Sequence, residues 1–248
     1  MVTAVGHRTW LKMRRRAQPL DEQKLIALSP ILVVSPHQDD ETLGCGGLLA
    51  TAARLDLRPR VAYLTDGSAS HVGSASWPPD RLARTRRAEA LSALAVLGTP
   101  AEDVCFLGWP DADPFRPGQP GYARTIDRLA GWATGFAPAS IWSPWRGERH
   151  CDHVAAADLA ADLATRLDPK PARMDYLVWG WNEARLARDT SSAWALDCPR
   201  TTEVRQKALA CHRTQVGGLI VDARTSFQIP PRLAALTARP TEIYLEGA

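Results

Sequence analysis

Short apolar runs alternate along this chain with longer stretches of helical period, and that alternation restricts the fold more than any other feature. Runs suited to strands are Ile31–Ser35, Arg60–Thr65, Val104–Leu107, Ser140–Ser143 and Tyr176–Trp179. Between them lie helix-like stretches at Thr42–Leu55, Asp80–Leu97, Tyr122–Gly135 and Val154–Leu167. Strands separated by a helix's length of chain cannot pair as hairpins; they pair as parallel neighbours through crossovers. The expected class is therefore α/β, a Rossmann-like, mainly parallel sheet with helices on both faces. In Asp80–Leu97 the apolar stripe is Leu82, Ala83, Ala90, Leu91, Leu94 and Leu97, and Gly98 with Pro100 supplies a stop. A helix over Glu203–Arg213, capped by Thr201 or Thr202, and a strand at Glu242–Leu245 are expected later, while the pattern after Val216-Gly217-Gly218 is ambiguous.

No break in composition divides the chain, so residues 30–248 are read as one domain. Residues 1–29 are read as a basic N-terminal arm carrying Arg14-Arg15-Arg16, with a partly helical stretch from Asp21 to Leu28. A chain of 248 residues can bury a substantial core. Its net charge of +3 gives no support to a nucleic-acid partner. Five scattered cysteines, odd in number and without a CxxC pair, suit a reducing compartment, and a cytoplasmic location is expected. No run is long enough to span a membrane. Oligomeric state is left open.

The first apolar run ends in Pro36-His37-Gln38-Asp39-Asp40-Glu41. Acids cannot be buried unpaired without a large desolvation cost, so this cluster needs water, a cation or donors. In open parallel sheets the ligand crevice lies beyond the carboxyl ends of the strands. The fourth run leads to the same edge and to His150-Cys151-Asp152-His153, so topology brings two polar clusters to one rim. His37, Asp40 and His153 offer two nitrogens and one oxygen with a position left for water, a set that suits catalytic Zn²⁺, with Fe²⁺ as the rival. Asp39, beside a ligand, is placed to take a proton from water. His150 is placed to face a developing oxyanion or to protonate a leaving amine, with Asp152 holding it in one tautomer and favouring its charged form. Glu41 is expected to cap or orient. His7, His71 and His212 are read as ordinary surface or core histidines.

These two motifs, with Gly46-Gly47, resemble the LmbE/PIG-L family of zinc-dependent N-deacetylases, which act on N-acetylglucosamine-type amides in mycothiol, bacillithiol and glycosylphosphatidylinositol biosynthesis. The resemblance extends to Leu64-Thr65-Asp66-Gly67, the Arg86-x-x-Glu89 helix, Phe106-Leu107-Gly108-Trp109-Pro110-Asp111, and Lys207…His212-Arg213-Thr214-Gln215. It implies metal ligation by His37, Asp40 and His153, Asp39 as general base, His150 as the oxyanion-stabilising histidine with Asp152 behind it, and sugar hydroxyl contacts from Arg86 and Asp111. Gln38 stands where the family has proline or alanine, and Arg146-Gly147-Glu148-Arg149 does not reproduce the tyrosine-containing loop of the thiol-biosynthesis members.

The implied reaction is metal-dependent hydrolysis of the N-acetyl group of an amino sugar or glycoconjugate, releasing acetate. Two other readings start from the same residues. A sugar- or nucleotide-binding module without hydrolysis has only Gly44-Cys45-Gly46-Gly47 behind it, which lacks GxGxxG spacing. A metal phosphoesterase calls for two bridged metals and more acids at strand ends than this chain supplies. Trp77, Trp109, Trp145, Trp179 and Trp181 are read as either sugar-stacking faces or core.

Overall fold

The structure is a computed structural model and describes residues 4–183, 186 and 192–247. Its strands are β1 (Gln18–Pro19), β2 (Ile31–Ser35), β3 (Arg60–Thr65), β4 (His71–Val72), β5 (Val104–Trp109), β6 (Ser140–Pro144), β7 (Ala172–Tyr176), β8 (Ala193–Asp197), β9 (Thr225–Ser226) and β10 (Thr241–Glu246). The helices are α1 (Ala4–Arg16), α2 (Glu22–Ala27), α3 (Asp40–Arg54), α4 (Pro79–Leu97), α5 (Pro120–Thr134), α6 (Cys151–Arg166), α7 (Thr202–Cys211) and α8 (Pro231–Ala234). Among the described residues, eight strands form one sheet in the order β1-β8-β10-β7-β6-β2-β3-β5, and β4 pairs with β9.

The five strands from β5 to β7 are all parallel, as the alternation of apolar runs and helices requires. Side chains alternate across each strand, and both faces are covered. Ile31 and Val33 of β2 pack with Leu48, Leu49 and Leu94, while Leu32 and Val34 pack with Ile126, Leu159 and Leu163 on the opposite face. This explains why β2 reads as an unbroken apolar run. Each such aliphatic side chain removed from water contributes about 1.5–3 kcal/mol. Gly98 ends α4 with φ +90°, a left-handed conformation open to glycine at little cost.

Beyond β7 the sheet departs from the simple pattern. β10 runs antiparallel to both β7 and β8, and β1 joins β8 in parallel at the edge. The strand expected at Tyr176–Trp179 lies earlier, at Ala172–Tyr176. Residues 177–178 are apolar and buried, but the backbone N–H groups of Val178 and Gly180 donate to Glu148 and not to a ladder. The segment read as a basic arm contributes Met13, Leu20 and Leu25 to the main core. Arg14 binds Asp197 through Nη2 at 2.9 and 2.8 Å. Among the described residues, no helix is long and apolar enough to cross a membrane.

Candidate metal centre and active site

β2 pairs with β3 on one side and β6 on the other, and the chain visits β3 and β5 before returning to β6. The direction of winding reverses between β2 and β6, and a crevice opens at such a switch point beyond the strand ends. Both motif halves emerge there. The turn after β2 is held by Pro36 O, which accepts from Thr65 N and Thr65 Oγ1 at 3.0 Å each. Asp40 and Glu41 then fall in the first turn of α3, where the helix dipole favours negative charge. His150 caps α6, its Nδ1 accepting from Asp152 N at 3.3 Å.

His37, Asp40 and His153 converge, the first two lining the crevice and His153 fully buried. Asp40 Oδ2 lies 3.0 Å from His37 Nδ1 and 3.2 Å from His153 Nε2. Their ligand atoms lie within 4.8 Å of one another, and so do those of His37, His150 and Asp152. His153 is fully buried and its Nε2 makes no hydrogen bond despite the nearby carboxylate. Two imidazole nitrogens and one carboxylate oxygen, with a buried ring nitrogen left without a partner, fit a divalent cation of the Zn²⁺ or Fe²⁺ type. Burial raises the Asp40 carboxyl, but the adjacent His153 and His37 outweigh it and hold Asp40 well below the usual carboxylate range. Burial lowers His153, yet Asp40 and Glu148 raise it to about 9 overall.

Asp39 is buried and lines the same crevice. Burial lifts it to about 6, with Arg86 opposing and Asp40 adding to the rise. Arg86 Nη2 stands 3.4 Å from Asp39 Oδ2 and 3.3 Å from Gln38 O, and Nη1 donates to Gly67 O at 3.1 Å. Asp39 N donates to Glu41 Oε2 at 3.1 Å, so Glu41 orients the turn. The Gln38 side chain points away from the ligand cluster and donates to Thr65 O at 2.7 Å.

Asp152 meets His150 through its backbone N–H, while its carboxylate lies closer to His37. Its Oδ2 is 2.9 Å from His37 Nε2 and accepts from Ala112 N at 3.0 Å, while His150 Nδ1 is 3.8 Å away. Burial, with His37 and His153 nearby, lowers His150 despite Asp152, so its charged form is not favoured. Asp111 lines the crevice and also faces His37, with Oδ1 3.4 Å from Nε2 and Oδ2 accepting from Ala69 N at 2.8 Å.

Several residues of the site escaped the sequence reading. Glu148 is buried with Oε2 2.6 Å from His153 Nδ1, and its only sequence signal was an acid lying between arginines five residues before His153. His212, read as an ordinary histidine, is fully buried, its Nε2 3.3 Å from Thr42 Oγ1 and 3.6 Å from Glu41 Oε1. Glu89 accepts from Thr214 N at 3.0 Å and Thr214 Oγ1 at 2.6 Å, so the Arg-x-x-Glu helix and the late His-x-Thr-Gln segment hold each other. Trp109, Trp145 and Trp181 are core, Trp77 lies under Arg81, and Trp179 lines the crevice. The crevice has a volume of about 960 Å³, and Thr225, Ser226 and Phe227, from the stretch without a clear pattern, also line it.

The profile of the PIG-L family, described as GlcNAc-PI de-N-acetylase, matches residues 32–164. The 1D-myo-inositol 2-acetamido-2-deoxy-alpha-D-glucopyranoside deacetylase of Mycobacterium sp. (strain KMS) is 27% identical over 245 residues, covering 81% of this chain and 79% of its own. The N,N'-diacetylchitobiose deacetylase structure from Pyrococcus horikoshii superposes with a TM-score of 0.59 at 20% identity, over 74% of this chain and 69% of that one. GalB, the 4-carboxy-2-hydroxymuconate hydratase from Pseudomonas putida KT2440, gives 0.63 at 19% identity, over 84% and 82%. The two structures share the fold, and their differing reactions leave the chemistry to be argued from the site.

Proposed function

The chain belongs to the PIG-L family of GlcNAc-PI de-N-acetylases, and from that premise we propose that it hydrolyses the acetamide of an N-acetylated amino sugar or glycoconjugate, releasing acetate. The observation that carries this reading is the convergence of His37, Asp40 and His153 beside the buried Asp39. We assign the three ligand positions to Zn²⁺, with Fe²⁺ suited to the same donors. Held by these three residues, a cation would supply Lewis-acid polarisation of the amide carbonyl and a lowered pKa for water.

Asp39 accepts the proton of the attacking water, and a carboxyl near 6 is matched to that task close to neutral pH. Arg86 keeps the carboxylate oriented through Oδ2. His150 Nδ1 accepts a backbone N–H, so the neutral ring carries its proton on Nε2, the donor available to the developing oxyanion. Asp39 then returns its proton to the nitrogen as the C–N bond breaks, leaving the amine and acetic acid, which ionises to acetate by passing its proton to the amine or to water. Asp152 and Asp111 act through His37 by fixing its ring. Arg86 and Asp111 line the crevice, and we assign them also to the sugar hydroxyls. Five free cysteines support the cytoplasmic setting proposed here.

The test is acetate release from a panel of N-acetylated amino sugars and their glycosides, using protein stripped of metal and reloaded with Zn²⁺ or Fe²⁺. Turnover that needs the metal and is lost in Asp39→Ala with metal retained is the expected result. No acetate from any amino-sugar amide by the loaded protein overturns the reading.

A further inference from the structure

The crevice is far larger than the reaction at its metal end requires. Its 960 Å³ stands near the upper end of the ~300–1,000 Å³ range of pockets that enclose drug-sized ligands. A free acetamido sugar seated against His37 and Asp39 would leave much of that space to water. The lining also carries apolar side chains. Trp179 and Phe227 meet edge to face, with ring centroids 5.9 Å apart, and Leu43 adds an aliphatic patch. Arg232, from the first turn of α8, also faces the crevice.

Arg232 differs from the other arginines of the lining. Arg86 is engaged by Asp39 and backbone carbonyls, and Arg149 is paired with Glu183 at 2.9 Å. Among the described residues no carboxylate pairs with Arg232, and its Nε is buried without a hydrogen-bond partner. A guanidinium partly withdrawn from water and left uncompensated is a strong site for an anion, because bidentate, charge-assisted hydrogen bonds replace the lost hydration. The aromatic pair that lines the same crevice offers stacking area to whatever carries that anion.

We propose that Arg232, with Trp179 and Phe227, forms a second subsite for the aglycone, and that the substrate joins its acetamido sugar to an apolar or aromatic group bearing an anionic substituent. This deepens the deacetylase reading and rests on it for the sugar end only. The anion is a carboxylate or a phosphate, and the two are separated by the choice of probe.

The test compares three glycosides of N-acetylglucosamine that differ only in the aglycone: 4-methylphenyl, 4-carboxyphenyl and 4-phosphonooxyphenyl. Binding is measured by calorimetry to metal-loaded Asp39→Ala, where turnover does not interfere, and KM and kcat are measured on the unsubstituted enzyme. An anionic aglycone should bind at least tenfold more tightly than the methylphenyl glycoside. Arg232→Ala should abolish that preference through KM with kcat kept, and Arg232→Lys should restore part of it. Equal binding of charged and neutral glycosides, or an Arg232→Ala effect equal on both, overturns the subsite. A charged-over-neutral preference that depends on Arg232, in a loaded protein that releases acetate from no N-acetylated amino sugar of the panel, sustains the subsite and overturns the deacetylase reading.

Discussion

Glu148→Gln isolates the tautomer of a candidate metal ligand with almost no change of shape. The Glu148 carboxylate serves three donors: Val178 N and Gly180 N on Oε1, each at 2.8 Å, and His153 Nδ1 on Oε2 at 2.6 Å. Because Nδ1–H is donated to Glu148, the Nε2 lone pair of the neutral ring is free to face a cation beside Asp40. Glutamine replaces one acceptor by an NH₂ group. If the amide oxygen stays on the two backbone N–H groups, the NH₂ meets Nδ1, which must then accept. The proton moves to Nε2 and the lone pair that binds metal is lost. If the amide flips, Nδ1 keeps its acceptor, but two buried backbone N–H groups face an NH₂, at about 1–3 kcal/mol each. Loss of such an outer partner typically costs ~10–100-fold in metal affinity, which corresponds to ~1.4–2.8 kcal/mol. Chelator competition should therefore show the Zn²⁺ Kd of Glu148→Gln raised by that factor, with circular dichroism unchanged and activity recovering in excess Zn²⁺. A wild-type Kd together with wild-type activity refutes the tautomer argument.

Three further outcomes are expected. Metal must displace a proton from His153, raised to about 9, and from His37, which burial lowers but Asp111, Asp152 and Asp40 raise well above its ordinary value. Zn²⁺ affinity should therefore climb as pH rises toward 9 and fall with acidification; a flat profile in competition titrations contradicts this. Asp39→Asn should lower kcat by ~10²–10⁴ while metal content by mass spectrometry stays at the wild-type value; near-wild-type turnover removes Asp39 as the base. In Gly47→Ala the new Cβ would lie 2.5 Å from Cys198 Sγ and 2.8 Å from the Glu242 carboxylate, so overpacking should cost about 1–3 kcal/mol in urea unfolding, and an unchanged midpoint counts against that packing.

The parallel half of the sheet was legible because its strands are buried on both faces and separated by helices of clear period. β2 and β3 fall at the expected residues, and β6 extends one residue further, to Pro144. The candidate ligands were legible for a topological reason: strand ends at a switch point bring together residues far apart in sequence. What escaped depends on contacts that leave no periodic trace. Glu148 works through a carboxylate whose three partners lie in α6 and the loop after β7. β8 and β9 belong to segments of mixed polarity, and β10 lies between β7 and β8, an insertion that connection length alone does not announce. His212 gave no sign of burial because its partners, Glu41 and Thr42, stand in the first motif.

The position of β10 has a consequence for how the molecule is made. A ribosome delivers His37 through His153, and even β7, well before Thr241–Glu246. Until then β7 presents an open edge where the finished sheet has a neighbour on each side. Meanwhile α3 lacks the Glu242 carboxylate, which accepts from Gly47 N at 2.7 Å and Leu48 N at 2.9 Å, so the helix that begins at Asp40 lacks that anchor. Every candidate ligand is thus in hand before the scaffold around it is closed, and an unpaired edge in a nascent chain invites intermolecular pairing. β10, which closes the sheet beside β7 and anchors α3 through Glu242, thus follows every residue of the candidate site in the order of synthesis, so local folding of the two motifs precedes the contacts that fix α3 in place.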